Sequence, residues 1–198
     1  EHIVYHKMKE LSQELYVDMR RFLIEHPLLS SLDRKEFLLS HENDSNCREI
    51  IGDAYELIPA DSYVCPNCGW TLSLIGQQPV CCHRDCEKSY FTSREEIKSV
   101  GLQYEYRLKK GVMRYISYPG RAELEIKVIC DRLALKSELW PERDRYDIKI
   151  IFSNGTCWGI DAKTYGNPYL LSQSIKNDYG FQSVQIDRKF YVIPDSIV

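Results

Sequence analysis

Residues Trp140–Lys163 read WPERDRYDIKIIFSNGTCWGIDAK, and this stretch decides the fold. Two runs rich in strand-forming residues, 147–152 and 157–163, flank Asn154-Gly155, the strongest short-range hairpin signal a sequence carries. Side chains on a strand alternate between faces, so Asp161 and Lys163, two apart, share a surface. Asp147 opens the first strand. A strict two-residue loop at 154–155 would set Asp161 opposite Ile148 and turn Asp147 to the wrong face. A three-residue loop over 153–155, or a β-bulge, pairs Asp147 with Asp161 and gathers both acids and the lysine on one side. The loop is expected to take that longer form.

Two acids on neighbouring strands beside a lysine can hold a divalent cation and steer a water, which is what phosphodiester cleavage requires. Asp-x-Lys alone is a frequent tripeptide, and aspartates flank turns for reasons unrelated to chemistry. Here the pair ends the run Cys157-Trp158-Gly159-Ile160, which reads as buried and is an unusual setting for a merely solvated pair.

Working outward, a helix is expected from Ala122 to about Leu135, with Ala122, Ile126, Ile129 and Leu133 as its buried stripe. Glu123 lies at the edge of that stripe and is a candidate third carboxylate; Glu125 is its rival and fits an exposed position better. Asp144 competes with Asp147 as first acid. Beyond Lys163, the loop 164–168 leads to a short helix over roughly 168–177, and Lys189–Pro194 reads as a last, buried strand. The C-terminal order is therefore helix, β-hairpin, helix, strand, an α/β layout with the acids at one end of the sheet.

Upstream lies a second motif. Eight cysteines are present, and five of them fall between positions 65 and 86. Cys65-Pro66-Asn67-Cys68-Gly69 is a metal knuckle, in which a tight turn points two thiolates at one ion, and Cys81-Cys82-His83-Arg84-Asp85-Cys86 supplies the second pair. Cys65, Cys68 and Cys86 are firm ligands for structural Zn²⁺. The fourth is Cys81, with Cys82 as the alternative and His83 a remote third choice. Disulfides or a redox pair are the competing readings; the βαβ context of redox Cys-x2-Cys is missing. Trp70, His83, Arg84 and Lys88 would suit a phosphate-facing surface of this zinc ribbon.

The first 60 residues read as helical: an amphipathic helix over 3–25 stopped by Pro27, a short one capped by Asp33 with Glu36 three residues on, and a third over 46–57. Ser93-Arg94-Glu95-Glu96 reads as a capping box opening a helix to about Leu108, Val112–Tyr118 alternates like a strand, and Pro119-Gly120 breaks it. The expected organisation is a helical N-terminal region over 1–60, a zinc ribbon over 61–92 and a core over 93–198, an α+β and α/β mixture.

Bulk composition excludes some classes. Of 198 residues 43% are hydrophobic and 28% charged, ordinary for a globular chain. No apolar run approaches the roughly 18 residues of a membrane span, and no signal-peptide pattern opens the chain. The net charge of −3 is uneven: residues 1–60 hold 7 basic and 12 acidic side chains, 61–118 hold 8 and 6, and 119–198 hold 11 of each. Nucleic acid would thus meet a local patch rather than a basic face.

With helix, hairpin and Asp-x-Lys in that order, residues 119–198 resemble the restriction-endonuclease-like fold of the PD-(D/E)xK nucleases. That resemblance assigns the active site to Glu123, Asp147, Asp161 and Lys163, with Mg²⁺ or Mn²⁺ held by Asp147 and Asp161. The literal Pro-Asp pair is absent: Pro141 lies six residues before Asp147. The pieces CPNCGW, YRLKKGVMRYISYPGRAELE, LWPERDRYDIKI and WGIDAKTY look like the nuclease that accompanies the PIWI-RE group of prokaryotic Argonaute-like proteins, over residues 65 to 165. The resemblance implies DNA as substrate, a cytoplasmic defence role, and a PIWI-like protein and a helicase as partners. Cutting both strands would need a homodimer or repeated nicking. Two rival readings are a catalytically inactive DNA-binding subunit of the same fold and a zinc-ribbon adaptor that docks a partner protein.

Overall fold

The computed structural model describes residues 1–42, 44–76, 78–83, 86, 97–163 and 167–193. Arg84, Lys88, the Ser93–Glu96 capping box, the start of the 164–168 loop and Pro194 lie outside the described residues. The chain divides into two compact units. One comprises Glu1–Ser12 and Asp18–Tyr118, the other Gln13–Val17 and Pro119–Val198. No helix among the described residues is long and apolar enough to cross a membrane.

The expected helix over 3–25 is two helices, α1 (His2–Glu10) and α2 (Gln13–Glu25). Leu11 turns extended at the end of α1 and is nonetheless buried, and Ser12, a residue type that favours helix ends over interiors, stands at the break. Apolar spacing carries on across the break because both helices bury one face. β1 (Leu28–Ser30) follows, then α3 (Ser31–Ser40). The cap of α3 is Ser30, not Asp33: the Ser30 hydroxyl accepts from the Asp33 backbone N–H at 3.0 Å and donates to the Asp33 carboxylate at 2.6 Å, which makes Asp33 the inner member of a capping box. The third expected helix is α4 (Ser45–Ala54), which gives way to strand β2 (Tyr55–Leu57). Lys7 of α1 bridges Glu49 and Asp53 on α4, each at 2.8 Å.

Strands β3 (Tyr63–Val64), β4 (Thr71–Ile75), β5 (Gln78–Val80) and β6 (Lys98–Ser99) form a sheet ordered β5-β4-β3-β6, and β7 (Tyr104–Leu108) pairs between β1 and β2 in another. The helix expected through Leu108 is therefore strand. Tyr104-Glu105-Tyr106-Arg107-Leu108 alternates at period two, and the turn from Gly101 to Tyr104 separates it from what precedes. The strand expected at 112–118 is helical instead. Helix α5 (Lys110–Val112) passes through a π turn (Met113–Ser117) into α6 (Tyr118–Arg132). Pro119 therefore does not break the helix. Proline has no N–H to give and its ring crowds the carbonyl four residues back, and the wider π register lies just before it.

In the second unit α6 buries Gly120, Glu123 and Cys130, while Ile129 and Leu133 are 53% and 65% exposed. The buried face is turned away from the expected stripe and includes the glutamate. Strand β8 (Lys136–Leu139), which sequence patterning does not reveal, precedes a left-handed turn at Pro141–Asp144. β9 (Ile148–Ile151) and β10 (Cys157–Ala162) form the hairpin, helices α7 (Pro168–Lys176) and α8 (Tyr179–Gln182) follow, and β11 (Arg188–Val192) closes a sheet ordered β11-β10-β9-β8. β9 is antiparallel to both β8 and β10, and β11 is parallel to β10. β11 lies at the sheet edge and is mostly exposed, not buried as expected.

Phe152 N–H donates to the Thr156 carbonyl and Gly155 N–H to that of Phe152, so the loop is the three residues 153–155, with Gly155 in the left-handed region at φ 86°. Ile148 pairs with Ile160 and Ile151 with Cys157. One face of the sheet is apolar, with Leu139, Ile148, Ile150 and Ile160 buried. The other carries Gly159, over which Phe181, Ile186 and Tyr146 close. A Cβ at Gly159 would meet the terminal methyl of Ile186, which can turn, then the Phe181 and Tyr146 rings at 3.1 and 3.4 Å. Gly159→Ala should therefore cost about 1 kcal/mol, the low end of the overpacking range, read as a lower midpoint in urea unfolding with unchanged slope; an unshifted midpoint would contradict this packing.

Candidate active site and metal centre

The paired register ends with Ile148 opposite Ile160; Asp147 stands one residue beyond it, its side chain within hydrogen-bond reach of Asp161. Asp147 N–H donates to the Ile160 carbonyl at 3.1 Å, and the Asp147 carboxylate accepts from Ala162 N–H at 2.5 Å. Trp140 extends the row on one side, its N–H donating to the Asp147 carbonyl at 2.7 Å, and Tyr191 extends it on the other, paired with Asp161. Both aspartates are 7% exposed. The sequence expectation of a three-residue loop that brings the two acids together is met. Asp144, the competing acid, lies in the left-handed turn outside this row.

Lys163 stands just past β10, its N–H continuing the ladder to Val192 O at 2.8 Å. Its ammonium lies 2.7 Å from Asp161 Oδ2 and 2.9 Å from Asp178 Oδ2. Burial, and after it a hydrogen bond with Asp178, raise the Asp161 carboxyl against the opposing pull of Lys163 and Asp147, leaving it at about 6. Burial acts the same way on Asp178, but its hydrogen bonds to Asp161 and Lys163 outweigh this and hold it low. Burial would lower Lys163, yet the two carboxylates keep it above the ordinary lysine value and hence charged.

Glu123 is 4% exposed and accepts a hydrogen bond from the Trp140 indole. It is thus tied to Asp147 through one residue, Trp140, which binds Asp147 by its backbone and Glu123 by its ring. Trp140 is fully buried and left-handed (φ 48°, ψ 53°), and the exposed Glu142 and Arg143 after it are left-handed too, a costly run for residues with a Cβ. Gln13 holds this turn. Its amide donates to the Trp140 carbonyl at 2.9 Å and accepts from Arg143 N–H at 2.7 Å. Neither Gln13 nor Asp178 was singled out from sequence. Asp178 could have been found as a helix cap: it accepts from Phe181 N–H at 3.1 Å at the start of α8. Gln13 carried no signal.

In the first unit Cys65, Cys68, Cys81 and Cys86 are all buried, and their sulfurs lie within 4.8 Å of one another. Among the described residues this is the group of metal-type side chains so gathered; Glu123, Asp147 and Asp161 form no such group. Cys82 is half-buried and outside the cluster, so the choice falls on Cys81. The knuckle is built as its sequence requires. Gly69 adopts φ 73°, its N–H donates to Cys65 O at 2.9 Å, and Cys65 N–H returns to Trp70 O at 2.7 Å. Cys68 N–H donates to Cys65 Sγ at 3.1 Å, as it would to a thiolate. The hydrogen bond with Cys68 favours the Cys65 thiolate, lowering it to about 6. Cys68 and Cys81 sulfurs are 3.6 Å apart, far from a disulfide and close to the roughly 3.8 Å edge of a tetrahedron with bonds of about 2.3 Å to zinc. The cluster is consistent with structural zinc.

Of the proposed phosphate-facing residues, the two that are described, Trp70 and His83, are otherwise engaged. Trp70 is buried, donating to Leu108 O at 2.8 Å beneath the Arg107 guanidinium, and the His83 ring stacks on Tyr118 with centroids 3.8 Å apart. Buried rings cannot present a surface to DNA.

Residues 120–198 match the family model described as "REase associating with pPIWI_RE", so the C-terminal part of this chain is a restriction-endonuclease-like domain linked to prokaryotic PIWI-RE systems. No curated protein matches the chain.

Metal content measured on purified protein should separate the two adjacent cysteines. Cys82→Ser is expected to keep one tightly held zinc per chain, and Cys81→Ser to lose it, with a large fall in stability, because a structural zinc site supplies folding energy. Equal zinc in both variants would exclude Cys81 as a ligand.

Proposed function

We propose that this protein is a metal-dependent endonuclease that hydrolyses DNA phosphodiester bonds, acting beside a PIWI-like protein and a helicase in prokaryotic defence. The observation that carries the reading is the buried cluster in which the Asp161 carboxylate meets the Asp147 side chain and the Lys163 ammonium. Family membership of residues 120–198 supports it.

The residues fit a hard divalent cation. Mg²⁺ and Mn²⁺ favour carboxylate oxygens, and two desolvated aspartates on adjacent strands would gain from a positive charge between them. Asp147 and Asp161 would hold it. A bound cation of this kind polarises a phosphate oxygen and acidifies water. Lys163 contributes a fixed positive charge at the edge of the site, where negative charge develops on the phosphate as it is attacked. Glu123, fastened by Trp140, keeps the first acid's strand in place against α6. Zinc in the cysteine cluster has only protein ligands and plays a structural part.

Supercoiled plasmid incubated with the full chain and Mg²⁺ or Mn²⁺ tests the reading directly. Nicking should appear with metal, vanish with EDTA, and fall by about 100-fold or more in Asp161→Ala and in Lys163→Ala, the scale of losing a preorganised charge. Undiminished cleavage by Asp161→Ala would overturn the mechanism. Metal-independent DNA binding without cleavage, with the PIWI-like partner present as well as absent, would instead favour an inactive subunit of the same fold.

The raised Asp161 carboxyl sets a pH dependence. Its proton competes with metal, so Mg²⁺ or Mn²⁺ affinity should be level above about pH 6 and weaken below it, by up to about tenfold per pH unit. Calorimetric titration between pH 5 and 8 reads this; affinity that stays flat across the range would remove Asp161 from the metal shell.

A further inference from the structure

Asp178 lies outside the Asp-x-Lys motif, yet it meets the same lysine. Lys163 Nζ is bracketed by Asp161 Oδ2 at 2.7 Å and Asp178 Oδ2 at 2.9 Å. The Asp178 carboxylate is itself fixed at both ends. Its Oδ1 accepts from Phe181 N–H at 3.1 Å, and Phe181, 1% exposed, is the centre of the cluster with Tyr146 and Val184. One oxygen is anchored to the folded body and the other faces the ammonium. Lys163 and Asp178 together line a cleft of about 440 Å³ on the side of α7, with Leu170, Gln173, Ser174 and Asn177.

We infer that Asp178 is a positioning residue that holds the Lys163 ammonium at the mouth of this cleft when Asp161 is engaged by a metal. The inference rests on the nuclease reading above for its catalytic consequence, but the clamp itself is a property of the fold. Lysine is a compact charge on a flexible stem. If Asp161 were its one partner, a cation taking that carboxylate would leave the ammonium to swing through the cleft. A second carboxylate, anchored through α8, keeps it in place.

Asp178→Asn is the informative variant. Asparagine caps a helix as well as aspartate does, so the bond to Phe181 and the fold are retained while the charge facing Lys163 is removed. Two readouts on the full chain separate the possibilities. The first is the rate at which acetic anhydride labels Lys163, followed by mass spectrometry against Lys149 as internal reference. It needs no activity, and a severalfold rise at Lys163 alone is expected. The second is plasmid nicking, where kcat should fall about 10- to 100-fold, the penalty for misplacing a reacting group by about an ångström, with KM and melting temperature unchanged. Unaltered Lys163 labelling would overturn the clamp. Faster labelling with wild-type kcat would overturn its role in cleavage. Faster labelling in a protein whose wild type cuts nothing would support the clamp while rejecting the nuclease reading.

Discussion

Side chains on a β-ladder repeat every two residues, and that constraint governs everything at the C-terminal site. One residue more or fewer in the 153–155 loop would move Asp161 from beside Asp147 to beside Ile148, sending one acid into the apolar face. Gly155 makes the three-residue loop possible, because the third position of such a loop is left-handed and only glycine takes it without cost. From that register the rest follows. Trp140 bonds Asp147, Asp147 reaches Ala162, and Asp161 pairs with Tyr191, the lysine two residues on projects to the same side, and Ile148, Ile150 and Ile160 are left to bury the opposite face.

The cysteine cluster obeys a different economy. A ribbon of strands two to five residues long buries little apolar surface, and its four gathered cysteines are consistent with a shared zinc that would supply folding energy. Arg107 braces the surroundings. Its guanidinium binds Glu56 at 2.8 Å and Thr71 Oγ1 at 2.7 Å while lying over Trp70, so the knuckle is pinned to β2 and β7 within the same unit.

The hairpin, its loop length and the knuckles were legible because each rests on a local rule: glycine at a left-handed position, period-two alternation, Cys-x2-Cys-Gly. The resemblance to a PIWI-RE-associated nuclease agrees with the family match over residues 120–198. What sequence hid depends on long-range placement. Residues 112–118 alternate like a strand yet lie in a π turn ahead of Pro119, and residues 104–108 strand-pair with β1 and β2 although a capping signature precedes them. Ile129 and Leu133 look like core but are exposed, since α6 turns Glu123 inward toward the Trp140 indole, a partner seventeen residues away. Asp178 is visible as a cap but not as a partner of Lys163, for nothing local reports which strand end a cap will face.

Gln13 has a consequence for how the domain can be cut and how it is made. It hydrogen-bonds a carbonyl 127 residues later in the chain, and residues 13–17 belong to the same compact unit as 119–198. The domain is therefore discontinuous. A fragment trimmed to the family-matched segment would lack the strap on its left-handed turn, next to the strand that carries the first acid. During synthesis Gln13 must wait for this partner until Trp140 has emerged. Contacts of such long sequence separation slow folding, because the chain between them must be ordered before either end gains.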